Sequence, residues 1–229
     1  MKRIKLIIWF TGAIMAIAAL IPAKASAQYY EIANQIPNLL SPMLSGSMNY
    51  RGTVEASYLK GVGDNQADFL DFSTVQGFQY KSWFFMGVGL GVDVMFSHPN
   101  DNWGEDWNNG SYLEHGITTT SVMIPLFTDF RFNIGNKFNS KPSFFIDLRL
   151  GATFLVGKDY VKINDGYLTN SEAFYLRPTM GVRIPVNKEK PKQAVNLGVS
   201  YQLITSDYWN GWNNDVTLNS LGVTASFEW

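Results

Sequence analysis

In several segments apolar residues occupy every second position, and ten charged residues stand at positions between them. Asp129 and Arg131 are two positions apart, as are Asp147 and Arg149. Residues two apart on a β-strand share a face, so adjacent antiparallel strands would bring such residues together as ion pairs. The full set is Glu55, Asp71, Asp93, Asp129, Arg131, Asp147, Arg149, Arg177, Arg183 and Glu228. This pattern predicts either a sealed, charge-paired interior or the polar lining of a pore.

Four tryptophans in two polar segments form a second candidate site. Residues 102–110 and 208–215 combine Trp with Asn, Asp and Gly, and they contain Trp103, Trp107, Trp209 and Trp212. Aromatic faces beside amides and carboxylates suit sugars, and Trp is enriched at binding surfaces. Trp is also enriched where a protein meets the membrane–water interface. Two interpretations therefore stay open, a glycan or protein ligand on these loops, or an interfacial girdle.

Catalysis has weaker support in the sequence. The two histidines, His98 and His115, fall in one polar segment near Ser97, Ser111 and Glu114. A hydrolytic triad needs a specific geometry that sequence proximity does not supply. The chain contains no G-x-S-x-G, H-E-x-x-H or phosphate-binding loop. We expect no enzyme activity, with a lipid-acting enzyme as a distant alternative.

Composition excludes several classes of site. The absence of cysteine rules out disulfides and thiolate metal sites. Four acidic residues could offer oxygen ligands to Ca²⁺ but lack EF-hand spacing, namely Asp101, Glu105, Asp106 and Asp215. We therefore expect neither a metal nor a cofactor. The leader would remove four of the 18 basic residues and leave 14 against 19 acidic ones. Such a balance argues against nucleic-acid binding.

The N-terminal segment has the pattern of an export signal. Basic residues precede an apolar run over 6–21, and Ala25-Ser26-Ala27 offers an A-x-A cleavage site. We predict a signal peptide over 1–27, a periplasmic segment over 28–48 and a barrel domain over 49–229. Within 28–48, apolar spacing up to Ser41-Pro42 predicts a short amphipathic helix. The alternative for 28–48 is a loosely ordered leader.

Eight segments alternate between apolar and small or polar residues, and these must position the charges. The segments are approximately 50–60, 69–80, 84–96, 118–132, 144–155, 173–186, 194–205 and 216–229. The third is clearest, with apolar side chains at every second position from Phe84 to Phe96. Ten or more residues suit a tilted strand that crosses a bilayer. Connections after strands two, four and six would face the periplasm, and the longer ones after one, three, five and seven the cell surface.

Two barrels fit this alternation, and they differ in which face points inward. A soluble lipocalin-like barrel would hold the apolar face inside, whereas a membrane barrel would turn it towards lipid. No run of about 18 apolar residues follows the signal, so a membrane protein here would have to span as a closed barrel. Export, large apolar side chains and the terminal Trp229 favour an all-β, eight-stranded, antiparallel, up-and-down transmembrane barrel in the outer membrane.

Several segments together resemble the small outer-membrane β-barrel proteins of the porin family type found in Bacteroidetes-like bacteria. These segments are 83–91, 124–126 with Asp129 and Arg131, 174–176 with 181–183, and the closing strand. The resemblance covers about 49–229 and implies insertion by the outer-membrane assembly machinery, which recognises a terminal strand such as that ending in Phe227 and Trp229. It implies no substrate and no catalytic residues. Outer-membrane lipid and this machinery are the expected partners.

Overall fold

Eight long strands and one short hairpin make up the part of the chain that the computed structural model describes. This part comprises residues 48–63, 65–97, 119–135, 141–163, 166–169, 172–186, 193–206 and 216–229. The strands are β1 Met48–Val62, β2 Ala67–Tyr80, β3 Phe84–Ser97, β4 Thr119–Ile134, β5 Ser143–Val156, β6 Tyr160–Ile163, β7 Gly166–Thr169, β8 Ala173–Pro185, β9 Ala194–Ser206 and β10 Val216–Glu228. Among these residues no helix is long and apolar enough to span a membrane.

The eight long strands form a closed antiparallel barrel in the order β1-β10-β9-β8-β5-β4-β3-β2. Each strand pairs with its neighbours in the chain, apart from the inserted β6–β7 hairpin, and β1 pairs with β10 to close the ring. The predicted eight-stranded up-and-down barrel is therefore confirmed. The predicted signal peptide and the helix within 28–48 lie outside the described residues.

Side-chain exposure decides which face points inward. Along β3, Leu90 and Val92 are about half exposed on the outside, whereas Asp93 is fully buried on the inside. The glycines of β3 also face inward, and the position of a Cβ at Gly89 is already filled by the Phe127 ring. The lipocalin-like alternative is wrong, since it would place the apolar face of each strand inside.

The short hairpin β6–β7 lies within the connection between β5 and β8. Gly157 directly follows β5 and has a φ of 75°, a left-handed conformation that favours glycine. The chain then turns into the hairpin. Val161, Ile163 and Leu168 are 0–3% exposed and belong to the same apolar cluster as inward-facing strand residues. The sequence had predicted only a loop over 157–172.

Twelve residues of this apolar cluster lie at the end of the barrel from which the odd-numbered connections were predicted to leave. We call these twelve residues the apolar plug. Besides the three hairpin residues it contains Leu59, Phe69, Met95, Met123, Leu155, Tyr175, Ile204, Val216 and Leu218. Each of these strand residues faces inward near one end of its strand, so hairpin and strands bury one another. The charged side chains occupy the interior below the plug.

Candidate functional site: the charged interior

The ten charged residues singled out in the sequence all lie on the inner face of the barrel. Their exposed fractions range from 0 to 7%. An eleventh, Arg51, is 4% exposed and was missed. The signal for Arg51 was present, because it shares the inward face of β1 with Thr53 and Glu55. Buried charges are costly unless they are paired and hydrogen-bonded, so their partners decide what this interior can do.

The β4–β5 ladder brings together the two pairs predicted from their spacing. Arg131 is directly opposite Asp147, and Asp129 is directly opposite Arg149. Arg131 donates from Nε and Nη2 to Asp147 Oδ2 at 3.0 and 2.6 Å. Arg149 Nε lies 3.7 Å from Asp129 Oδ2, which is ion-pair contact without a hydrogen bond.

Two arginines reach from one wall of the barrel to the other. Arg149 on β5 donates to Glu55 Oε2 on β1 at 2.8 Å. Arg177 on β8 donates to Asp71 Oδ1 on β2 at 2.7 Å and to Glu55 Oε1 at 3.0 Å. The Arg149 guanidinium also lies 5.0 Å from the centre of the Phe127 ring. Glu55 therefore joins both arginines across the middle of the interior, beside an aromatic residue of the apolar cluster.

A third group of arginines surrounds Glu228 near the closing end of β10. Arg183 Nε and Nη2 each lie 3.2 Å from a Glu228 oxygen. Arg51 forms an ion pair with the same carboxylate, and Arg131 Nη1 lies 3.9 Å from it. Since Arg131 also binds Asp147, these contacts are continuous with the β4–β5 pairs. The carboxylate of the closing strand is thus tied to residues of β1, β4 and β8.

This arrangement fills the interior with side chains, and most of the buried charges are paired. Eight-stranded barrels are just wide enough for side chains to occupy the lumen. Here the ion pairs occupy the middle and one end, while the apolar plug occupies the other end. The described residues contain no group of three or more acidic or His side chains placed to hold a metal. The geometry therefore fits a closed lumen.

The other candidate residues lie elsewhere. Phe227 and Trp229 are outside the barrel at the closing strand, 39% and 37% exposed, with their ring centres 6.4 Å apart. Trp229 exchanges two backbone hydrogen bonds with Gly52, at 3.0 and 3.2 Å. The four loop tryptophans Trp103, Trp107, Trp209 and Trp212, like both histidines and the four Ca²⁺ candidates, lie outside the described residues.

Comparison with known proteins gives matches of structure alone. No protein-family model matches this sequence, and no curated protein matches it significantly. The crystal structure of Neisserial surface protein A (NspA) is similar at a TM-score of 0.53 and 12% identity, covering 79% of this chain and 97% of that one. The outer membrane enzyme PagL gives a TM-score of 0.49 at 12% identity, covering 76% and 97%. At such identity the likeness to NspA concerns the barrel fold.

Proposed function

We propose that this protein is an integral outer-membrane barrel with a sealed lumen, which acts structurally or by binding ligands on its surface loops. One observation carries the proposal. The barrel is apolar outside and charged inside, the reverse of a soluble protein. In water such an exterior would be a large exposed apolar patch, whereas in a bilayer it matches its surroundings.

Aromatic residues at one rim of the barrel support insertion in a membrane. The Trp83 ring stacks on Phe132 with centres 6.1 Å apart and lies 5.4 Å from Phe84. These rings are beside the β2–β3 turn, at the same end of the barrel as Trp229. Trp favours the membrane–water interface, and outer-membrane barrels have girdles of aromatic residues at that level. The rim therefore has the composition expected of residues at the headgroup level.

The closing strand supports a proposal about assembly. β10 ends on the exposed aromatic residues Phe227 and Trp229 and completes the barrel by pairing with β1. We propose that the outer-membrane assembly machinery recognises this strand after export and removal of residues 1–27. We propose no catalytic role, since the inner charges are engaged mainly with one another and not with a nucleophile.

Planar-bilayer conductance of the refolded mature protein, residues 28–229, tests whether the lumen is sealed. We expect a folded barrel without steady single-channel steps, because side chains fill the lumen from the ion pairs to the apolar plug. Heat-modifiable migration on a gel verifies folding. Steady steps whose size changes in Arg149→Ala or Arg183→Ala would instead establish the alternative function, a narrow pore for small solutes.

The surface-binding half of the proposal rests on the loop tryptophans. A labelled folded barrel applied to an array of oligosaccharides should retain at least one glycan. The quadruple variant in which Trp103, Trp107, Trp209 and Trp212 become Ala should lose that signal while still folding. Trp83→Ala is the matched control, because it removes an exposed rim tryptophan and should leave binding unchanged. Equal binding by the quadruple variant and the parent would contradict a role for these loops.

A further inference from the structure

Two buried aspartates face each other across the β2–β3 ladder. Asp71 and Asp93 are direct cross-strand partners, and both are 0% exposed on the inner face. Like charges in this position repel, and burial strengthens the repulsion because little water screens it. When two carboxylates share such a site, one of them commonly keeps a proton. Their neighbours show whether other charges compensate instead.

The arginines of the interior leave Asp93 without an ion pair. Five guanidinium groups lie within 4 Å of one or more of five carboxylates, which are Glu55, Asp71, Asp129, Asp147 and Glu228. Asp93 is the sixth buried carboxylate among the described residues and has no such partner. Five cations and six ionised carboxylates would leave one uncompensated negative charge in the lumen.

The pair also lacks hydrogen bonds, a deficit that Asp129 shares, although Asp129 Oδ2 lies 3.7 Å from Arg149 Nε and Asp93 has no such contact. Neither Asp93 oxygen accepts a hydrogen bond, and Asp71 Oδ2 also accepts none, although Asp71 Oδ1 binds Arg177. The two carboxyl groups are nevertheless direct neighbours on the inner face of the β2–β3 ladder. Two ionised carboxylates have only acceptors, so they cannot bond. One proton between them supplies the missing donor.

The surroundings of Asp93 offer no substitute for that proton. On its other flank Asp93 faces the apolar Met123 of β4. From the far wall, Arg149 of β5 and Arg177 of β8 act on it electrostatically, but both are bound to other carboxylates. The Tyr175 hydroxyl of β8 is also fully buried, but it has no hydrogen-bond partner and so donates to neither aspartate.

We propose that Asp71 and Asp93 share one proton in an O–H···O hydrogen bond that joins β2 to β3 inside the barrel. This proton balances the interior at five positive and five negative charges. The folded protein then holds a proton that both aspartates release when the chain unfolds near neutral pH. Because the folded state binds more protons than the unfolded state, stability falls as the pH rises. The pair therefore stabilises the contact between β2 and β3 while the proton is bound, and this contribution is lost at alkaline pH.

Unfolding of the full mature protein in lipid vesicles, measured from neutral to alkaline pH, tests the proposal. The parent should lose up to about tenfold in its folding equilibrium constant per pH unit, the slope for one bound proton. Asp93→Asn retains a donor to Asp71 and should remove that slope. Asp159→Asn, a change at an exposed carboxylate, should keep it. Equal slopes in the parent and Asp93→Asn would overturn the proposal.

Infrared spectroscopy of the parent gives a test that needs no variant to fold. Protein labelled with ¹³C at the aspartate carboxyl groups should show the carbonyl band of a protonated acid at neutral pH. The band should disappear at alkaline pH, and the decline in stability with pH should level off where it does. Where Asp93→Asn folds, the band should be missing from its spectrum at neutral pH. A parent spectrum in which every labelled aspartate is ionised at neutral pH would overturn the proposal.

Discussion

Replacing Arg177 with methionine should lower the free energy of unfolding by about 3–5 kcal/mol, the range for breaking a buried ion pair by removing one partner. Arg177 is fully buried and binds Asp71 at 2.7 Å and Glu55 at 3.0 Å. Methionine fills similar space but leaves Asp71 without its guanidinium partner and weakens the compensation at Glu55. The uncompensated carboxylates produce the loss.

Denaturant unfolding in lipid vesicles, followed by tryptophan fluorescence, measures this effect. Lys60→Met is the matched control, since it removes a positive charge from an exposed position on β1 and should change stability by less than about 1 kcal/mol. Adding Asp71→Asn to Arg177→Met should recover part of the lost stability, because it removes one of the carboxylates that lack a guanidinium partner in Arg177→Met. A loss in Arg177→Met no greater than in the control would mean that the interior ion pairs do not hold the barrel together.

Replacing Leu168 with aspartate should release the β6–β7 hairpin from the barrel. Leu168 is 0% exposed within the apolar plug, so a carboxylate there would be buried without a partner. The hairpin can escape this cost by undocking, which exposes the chain near Lys158. We expect the rate of trypsin cleavage in the connection between β5 and β8 to rise at least tenfold, roughly the effect of 1.4 kcal/mol on a local opening equilibrium.

Timed proteolysis followed by mass spectrometry locates the cleavage. Leu168→Met serves as the control, because a swap that nearly conserves volume in an apolar site should leave the hairpin docked. Conductance recorded on the same Leu168→Asp sample should remain absent, since the ion pairs below the plug still fill the lumen. Unchanged protection of the connection in Leu168→Asp would show that the plug does not hold the hairpin.

The barrel could be predicted from the sequence because its apolar surroundings and its filled interior each select the side chains of one strand face. Apolar residues therefore recur at every second position. Segments such as 84–96 place apolar residues on every second position, and antiparallel pairing of successive segments then sets the architecture. The ion pairs between neighbouring residues of β4 and β5 were predictable for the same reason. Alternation alone does not tell an inside from an outside, so the lipocalin-like alternative required side-chain exposure to exclude it.

Other parts of the interior were beyond this reasoning. The bonds from Arg177 to Asp71 and Glu55 cross the lumen, and they depend on how strand registers add up around the ring. The apolar plug was missed because inward-facing residues such as Leu59 and Phe69 are apolar, like the outward-facing residues next to them. Near these strand ends the sequence therefore alternates less clearly between apolar and polar residues. Each strand of the hairpin is only four residues long, which is too short to show a clear alternation. Its apolar residues are explained only by their packing within the apolar plug.

The pairing of β1 with β10 has a consequence for the order of events during folding. Most ladders join strands that follow one another and can zip as hairpins, but the closing ladder joins residues such as Ser57 and Thr224, 167 positions apart. Such a contact forms late, after the intervening chain has been ordered. Until then the sheet has two unpaired edges that can capture another chain. The interval between the pairing of β1 with β2 and the arrival of β10 is thus when this chain is most exposed to aggregation.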